Sequence, residues 1–235
     1  LFSLDRIIIA KNIITLDDQY PNANALYIKE NRINSVGLKE ELLREFPDIL
    51  VDYSHQDQII VPGFIEHHIH PLLAAITMNS HIVAIDDWNV SSKKTYGIRN
   101  RKEYLDRLSL VENSLNDKDP LVSWGFHHYF HGKLTRQDLD LISKDRPILI
   151  IHRSFHEFIM NTKALEFFGI SQKDIEHLSH EEKKLANLEE GHFSERGLIA
   201  VMPKIMNYLA APERIIEGLQ ITESYIQEQG ITLIA

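Results

Sequence analysis

The chain has 235 residues, 43% hydrophobic and 25% charged, which suits a globular protein with at least one sizeable core and argues against disorder. Its formal net charge of -9, with no long run of Lys or Arg, argues against nucleic acid or an anionic membrane as partner. Because there is no cysteine, disulfides and thiolate metal sites are excluded, and any metal must be bound by nitrogen and oxygen ligands.

The sequence carries no membrane-spanning or export signal of the usual kind. No apolar run approaches the ~20 residues of a membrane-spanning helix. Leu1 to Thr15 has no charged segment followed by an apolar core and a small-residue cleavage site. We therefore expect a cytoplasmic protein that acts on a small-molecule substrate and contacts neither nucleic acid nor a membrane.

The first 60 residues predict a small antiparallel sheet. Short runs rich in β-branched residues alternate with turn-forming sequences between Arg6 and Val36. A short helix from Lys39 to Phe46, ended near Pro47, follows the last of these runs. The four predicted strands read RIIIA, NIITL, NALYIK and RINSVG.

Strand and helix patterns alternate after residue 58, which favours an α/β architecture with parallel strands. The segment from Lys173 to Arg196 is polar and charged, and we expect a solvated excursion there. The other predicted elements are a strand at Ile59–His70, a helix at Arg101–Leu115, a strand at Leu121–Phe126, a helix from Thr135 to Ile142, a strand over ILII after Pro147, a helix at Thr162–Phe168 capped by Asn161 and closed by Gly169, a helix from Pro212 to Gly230, and a strand over ITLIA.

Residues 61–71 read VPGFIEHHIHP and place histidines at the end of an apolar strand. Because side chains alternate in an extended chain, His68 and His70 point to one face, which Glu66 shares. Two neutral imidazoles with this spacing can reach one divalent cation, such as zinc, without bending the strand. The alternative is a pair of polar residues at a solvated strand end.

The same stretch resembles the first barrel strand of the amidohydrolase superfamily. That strand typically carries a proline-glycine pair, an apolar pair and an acidic residue before H-x-H, and the carboxyl end of a barrel strand is where (β/α)8 active sites lie. Glu66 stands where aspartate is more usual, and His67 where a small residue is common. By this resemblance, His68 and His70 are the first two ligands of zinc or another divalent metal.

A longer segment, Leu134 to Ile170, is similar to the N-substituted formamide deformylase-like branch (amidohydrolase family 3), which carries a large insertion between the first two barrel strands. Further landmarks occur in the same order: WGF at Trp124 to Phe126, FHEFIMNTKAL around His156, and GLIA at Gly197 to Ala200. The family usually has glycine where this chain has Phe155, and HHYFHG departs from the commoner tryptophan-aspartate pattern, so the choice of substrate stays open.

The resemblance implies an α/β fold, part of a metal-dependent hydrolase (β/α)8 barrel with a small N-terminal β-sandwich-like domain and a large α+β insertion after the first barrel strand. Such a barrel takes ~250 residues, and two predicted barrel strands cannot close one. We therefore expect an incomplete barrel, inactive alone, whose open edge is covered by further chain or by a second copy in a homo-oligomer. The expected divisions are the β-rich domain at 1–57, the first barrel strand at 58–72, the insertion at 73–211, and a helix with the second barrel strand at 212–235.

The implied activity is hydrolysis of a non-peptide C–N bond, of the amide, formamide, cyclic amide or urea type, by metal-activated water. In such enzymes the remaining ligands, a carboxylated lysine or acid, two histidines and an aspartate, come from later strands, and a carboxylate usually passes the proton to the leaving amine. The alternative is a non-catalytic fragment or metal-binding remnant, because two histidines alone make a weak site.

His156 and Trp124 are the candidate substrate contacts. The resemblance places His156 in the insertion that covers the barrel mouth, although a histidine there can instead cap local backbone. A tryptophan such as Trp124 is more often a core residue, and the alternative is that it lines the pocket.

Six further histidines fall into two groups. The first resembles a metal cluster, but polar loops often carry such runs, and we predict no second metal among His127, His128 and His131. The second falls within the charged excursion, where we expect His177, His180 and His192 to be solvated.

Overall fold

The computed structural model describes residues 5–90, 93–115 and 119–235. The chain divides into two compact units. The first extends to Glu66 and includes Ile231–Leu233, and the second comprises His67–Gly230 with Ile234 and Ala235. The domain boundaries predicted from the sequence, after residues 57, 72 and 211, stay predictions.

The first unit contains a four-stranded mixed sheet in the order β3-β2-β1-β4. Between Arg6 and Val36 the sheet is antiparallel as predicted, with β1 pairing β2 and β2 pairing β3, although RIIIA and the start of NIITL form the single strand β1. The additional edge strand β4 pairs parallel with β1. The physical reason is the helix between β3 and β4, since a crossover connection returns the chain in the same direction. The elements are β1 Arg6–Ile13, β2 Ala25–Lys29, β3 Arg32–Gly37, α1 Lys39–Glu45, β4 Leu50–Ile60 and β5 Phe64–Glu66.

The predicted strand from Ile59 to His70 is divided in the structure. Ile59 and Ile60 complete β4 and pair with Asn12 and Ile13 of β1. Proline cannot donate to a strand ladder, and the Pro62-Gly63 pair separates β4 from the three-residue β5. The strand at Ile231–Ile234, predicted as ITLIA, forms and pairs with β5.

The second unit is built on a six-stranded sheet in the order β12-β13-β11-β10-β9-β6. The strands β6, β9 and β10 are mutually parallel, and the remaining pairs are antiparallel. The strands of this unit are β6 His81–Ile82, β7 Trp88–Val90, β8 Lys93–Thr95, β9 Leu121–Phe126, β10 Ile148–His152, β11 Glu157–Met160, β12 Ala186–Asn187 and β13 His192–Ser194, and β14 is Ile231–Ile234.

Helices cover this sheet and connect its strands. None of the helices in residues 5–90, 93–115 and 119–235 combines the length and the apolar character that crossing a membrane requires. The helices are α2 Pro71–Met78, α3 Arg101–Ser114, α4 His128–His131, α5 Arg136–Ile142, α6 Thr162–Phe167, α7 Gln172–Ile175, α8 His180–Lys183, α9 Glu195–Leu209 and α10 Pro212–Glu228.

The core of the second unit lies on both faces of β9 and β10. Alternate residues of β10 enter two different apolar clusters, with Leu149 and Ile151 in one and Ile148 and Ile150 in the other. Parallel strands buried on both faces read as continuous apolar runs, as ILII does here. The α/β character is therefore confirmed, and closure into an eight-stranded barrel stays a prediction.

The chain enters a helix directly after His70, because Pro71 occupies the first position of α2, where its fixed φ favours a helix. One expectation about connecting segments is wrong. The segment from Lys173 to Arg196 is not a plain solvated excursion, because Ser179 caps the short helix α8 and the last part of the segment forms β12 and β13.

The helices α2 and α10 pack closely against each other. Gly218 of α10 makes this approach possible, because a Cβ at that position would lie 2.2 Å from the carbonyl oxygen of Ala75 in α2. A side chain of any size at position 218 would therefore force the two helices apart.

Asn161 is a fully buried polar residue that joins three segments, as its predicted capping role suggested. Its Oδ1 accepts hydrogen bonds from the backbone N–H groups of Ala164 at 2.8 Å and Ile148 at 2.9 Å. Its Nδ2 donates to the carbonyl oxygens of Ser143 and Arg146, both at 2.9 Å. One side chain thus caps α6 and fixes the start of β10.

We predict that Asn161→Ala lowers the free energy of unfolding by roughly 3 kcal/mol, because it removes a helix cap and leaves buried backbone groups unpaired. Urea denaturation followed by far-UV circular dichroism measures this change. Asn161→Asp retains the acceptor but sets a buried carboxylate oxygen against the carbonyl oxygens of Ser143 and Arg146, so it should be at least as damaging as alanine; equal stability of wild type and Asn161→Ala would contradict the assigned role.

Candidate functional site

His68 and His70 follow the short strand β5 and precede α2. Both side chains are exposed, and their ring centroids lie 5.1 Å apart with the ring planes at 89°. Because a zinc–nitrogen bond is about 2.0–2.1 Å, rings at this separation can both direct a nitrogen to one ion. The pair therefore fits the metal that the resemblance implies, with His70 also standing at the N-cap position of α2.

A second group of potential ligands lies at the carboxyl ends of β9 and β10. His128 Nε2 is 2.6 Å from Glu157 Oε2, and His192 Nε2 is 2.9 Å from the same oxygen. One ligand atom from each of these three residues lies within 4.8 Å of the other two. We call this group the His128–Glu157–His192 triad.

The strand register explains how the triad forms. Glu157 of β11 pairs with Ser194 of β13, and His192 lies two residues before Ser194, so Glu157 and His192 share one face as diagonal neighbours. His128 reaches them because it lies two residues beyond the end of the buried strand β9. Gly191 immediately precedes β13 and adopts φ of 64°. A Cβ there would lie 2.1 Å from the carbonyl oxygen of Met160, so the close approach of the two strands requires glycine.

The electrostatics of the triad favour an ionised carboxylate. Burial alone raises the pKa of Glu157, but hydrogen bonds from His128 and His192 outweigh burial and bring the pKa below its ordinary value. Near neutral pH the triad thus presents a negative oxygen between two imidazole nitrogens.

His152 lies beside the triad, at the end of β10. Its ring stacks on that of His128, with centroids 5.4 Å apart and planes at 26°. Burial lowers the pKa of His152 to about 4, although the charge of Glu157 acts in the opposite direction. Its Nδ1 accepts a hydrogen bond from the backbone N–H of Ser154 at 3.2 Å, which leaves the proton of the neutral ring on Nε2.

His127 and His131 have structural roles outside the triad. The His127 ring accepts a hydrogen bond from the backbone N–H of Tyr129 at the start of α4. His131 is fully buried and stacks on Tyr104 at 4.2 Å. Its Nδ1 accepts from the His127 backbone N–H, and its Nε2 lies 2.8 Å from the carbonyl oxygen of Ile98, to which it donates. Of the HHYFHG run, only His128 belongs to the triad.

The expected solvation of the charged-segment histidines is correct for two of the three. His177 and His180 are exposed. His192 is only partly exposed and is hydrogen-bonded to Glu157, so that expectation is wrong for it. The reason is that the segment folds back as β13 and pairs with β11.

His156 lies in the turn between β10 and β11. Its Nδ1 is 3.0 Å from Glu195 Oε1, and both side chains are more than half exposed. The ring therefore pairs with a side chain rather than capping local backbone. Its contact with substrate stays a prediction.

Trp124 is a core residue of β9. It is 8% exposed and packs edge-to-face on Trp88 at 5.4 Å. Its indole Nε1 has no hydrogen-bond partner among the described residues. Phe155 packs near it at 6.3 Å and adopts φ of 63°, the left-handed conformation that suits the glycine usual in the resembling family. A role of Trp124 in lining a substrate pocket stays a prediction.

The sequence-based reasoning missed Glu157 and the grouping of His128 with His192. A partial signal was present, because His152 and Glu157 flank the four-residue turn between β10 and β11 and so face each other across it. The contribution of His192 could not be seen without the register of β13, a strand that the sequence did not predict.

A cavity of about 420 Å³ also lies in the second unit. Its wall is mainly apolar, with Arg107 and Glu217 as charged members. None of the predicted site residues and no member of the triad lines it.

Comparison with known proteins places this geometry in context. The sequence profile described as "Amidohydrolase family" matches residues 56–222, well over half of the chain. The chain is 27% identical to the "Exoenzymes regulatory protein AepA" of Pectobacterium carotovorum subsp. carotovorum, over 65% of this chain and 32% of that protein. It is 26% identical to the "Putative amidohydrolase YtcJ" of Bacillus subtilis (strain 168), over 68% of this chain and 29% of that protein.

Two solved structures share the fold. An uncharacterized metal-dependent hydrolase from Pyrococcus horikoshii OT3 aligns with a TM-score of 0.68 and 16% identity, over 98% of this chain and 42% of that protein. A second from Pyrococcus furiosus aligns with a TM-score of 0.67 and 18% identity, over 98% and 43%. The chain thus spans about a third of the length of these two curated relatives and under half of these two structures.

We predict that His131 makes stability depend on pH. Burial, only partly opposed by the hydrogen bond to Ile98, lowers the pKa of His131 below 6.5 in the folded protein. The unfolded state therefore binds more protons below about pH 6.5, and stability falls as the pH drops from there towards the lowered pKa. His131→Phe should cost about 1–3 kcal/mol at pH 7 from lost hydrogen bonds, and less at pH 5.

Urea unfolding of both proteins between pH 5 and 8 measures this difference. The exposed His180 offers a matched control, since His180→Gln should give a curve parallel to wild type. A wild-type to His131→Phe difference that is constant over this range would show that His131 does not titrate differently on folding.

Proposed function

Because the chain belongs to the amidohydrolase family, we propose that it forms part of a metal-dependent hydrolase that cleaves a non-peptide C–N bond of the amide, formamide, cyclic amide or urea type. The observation that carries this proposal is the pair of exposed imidazoles, His68 and His70, directly after β5. Their rings converge closely enough for one ion. The expected substrate is a small molecule, and a cytoplasmic location is part of the same proposal.

The two histidines would hold the metal through neutral nitrogens. A divalent ion supplies Lewis acidity towards a carbonyl oxygen and lowers the pKa of water. The exposure of both rings leaves the face of the pair open to a substrate and to ligands from other parts of the protein. We keep zinc as the first choice of metal, because imidazole nitrogens suit it and the chain contains no thiolate.

The finer assignment is to the N-substituted formamide deformylase-like branch. The similarity over Leu134 to Ile170 supports it, and the left-handed conformation of Phe155 retains the backbone shape that the usual glycine would give. We propose His156 and Trp124 as the substrate contacts of the insertion. His156 suits this role better, because its ring is exposed whereas Trp124 is largely buried.

A second candidate function is a non-catalytic, metal-binding or regulatory role. Two observations favour it: the pair supplies only two of the three protein ligands usual for catalytic zinc, and one relative is named as a regulatory protein. The two candidates differ in turnover, which only the hydrolase has.

We predict that the full-length protein hydrolyses at least one class among formamides, cyclic amides and ureas, and that a chelator abolishes this activity. Release of amine or ammonia measures turnover, before and after removal of metal and again after adding back zinc. Activity that survives complete metal removal would exclude the metal-dependent mechanism, and no turnover on any class would favour the non-catalytic role.

We also predict that His68→Ala and His70→Ala each reduce metal content and activity far more than stability. Elemental analysis, turnover and the midpoint of thermal unfolding are measured on the same preparations. His180→Ala is the matched control, because His180 is an exposed histidine outside both the His68–His70 pair and the triad. Loss of folding with unchanged metal content would instead assign the pair a structural role.

A further inference from the structure

We propose that the His128–Glu157–His192 triad binds a divalent transition-metal ion of the zinc type, at a site made of ligands different from His68 and His70. The site would lie in the second unit, where β9 and β10 end and β11 and β13 run beside them. It goes beyond the proposed hydrolase activity and does not depend on it.

The donor set determines the class of ion. Two imidazole nitrogens and one carboxylate oxygen suit zinc and the neighbouring first-row divalent ions. Calcium and magnesium prefer sites made of oxygen ligands, so the triad should discriminate against both.

The distances are close to those that an ion would require. Ligand atoms about 2.0–2.1 Å from a tetrahedral zinc are separated by roughly 3.3 Å. The two measured separations from Glu157 Oε2, 2.6 Å to His128 Nε2 and 2.9 Å to His192 Nε2, fall slightly below this value. All three atoms lie within 4.8 Å of one another. Small side-chain rotations would therefore admit the ion.

The same atoms can also form a purely hydrogen-bonded group, with both imidazoles donating to Glu157. The exposure of the group favours an ion over this alternative. Each side chain is between 23% and 41% exposed, so an ion can enter between the two Nε2 atoms and Glu157 Oε2 and retain water as its remaining ligand. Stacking of His152 on His128 further restricts the orientation of that ligand ring.

The ion would connect parts of the chain that are distant in sequence. Glu157 is 29 residues from His128 and 35 residues from His192. A ligand that binds only the folded state stabilises it by an amount that grows with the logarithm of ligand concentration once that concentration exceeds the Kd. Zinc should therefore raise the midpoint of thermal unfolding, and the rise should depend on the triad.

The experiment measures zinc stoichiometry and affinity in the full-length protein and in variants. Glu157→Gln and His192→Asn should each remove one equivalent of bound zinc, or weaken its Kd by at least about 100-fold, since even changes to residues that only hydrogen-bond a metal ligand cost roughly 10–100-fold. His156→Gln is the matched control, because His156 is a nearby exposed histidine outside the triad. His68→Ala/His70→Ala should keep the equivalent that Glu157→Gln loses.

Unchanged zinc content in folded Glu157→Gln and His192→Asn would overturn the proposal, as would loss of the same equivalent in His156→Gln.

One measurement needs no triad variant: in His68→Ala/His70→Ala, zinc should raise the unfolding midpoint, and excess magnesium should neither mimic nor reverse this effect. No zinc-dependent rise would leave the triad as a hydrogen-bonded group. Failure of the hydrolase proposal would appear in turnover and would not change these zinc measurements.

Discussion

Burial of β9 and β10 on both faces is the constraint on which the second unit depends. Apolar side chains fill both sides of this parallel pair, so polar groups have to lie beyond the strand ends. The residues that follow or end these strands are His127, His128 and His152, and the turn after β10 leads to Glu157. The imidazoles and the carboxylate cluster at this edge of the sheet because both faces of β9 and β10 are apolar.

The sequence predicted contacts between residues that are close along the chain. It did not predict strand pairing between distant segments. Asn161 was predicted as a helix cap and is one, because a capping side chain bonds backbone within three residues. Ile59 and Ile60 were assigned to the wrong strand, because their partners in β1 lie almost 50 residues away. The strand β13 was missed for the same reason, since its three residues gain their shape from pairing with β11.

The His68–His70 pair and the His128–Glu157–His192 triad show the same contrast between local and non-local structure. A common face for His68 and His70 was predicted from alternation along one strand; both residues lie beyond the end of β5, and their ring centroids are 5.1 Å apart. The triad draws one member from each of three segments, so neither spacing nor composition revealed it. Family resemblance identified the superfamily from a strand motif, whereas the finer branch and the substrate depend on residues such as Phe155 that depart from the usual pattern.

The close packing of α2 against α10 at Gly218 has a consequence for the order in which the protein matures on the ribosome. The helix that directly follows His70 finds its partner only after about 140 further residues have been made. Contacts of such long sequence separation form late, and chains emerge at roughly 5–20 residues per second. The segment bearing His68 and His70 thus stays without its helical support for several seconds of synthesis.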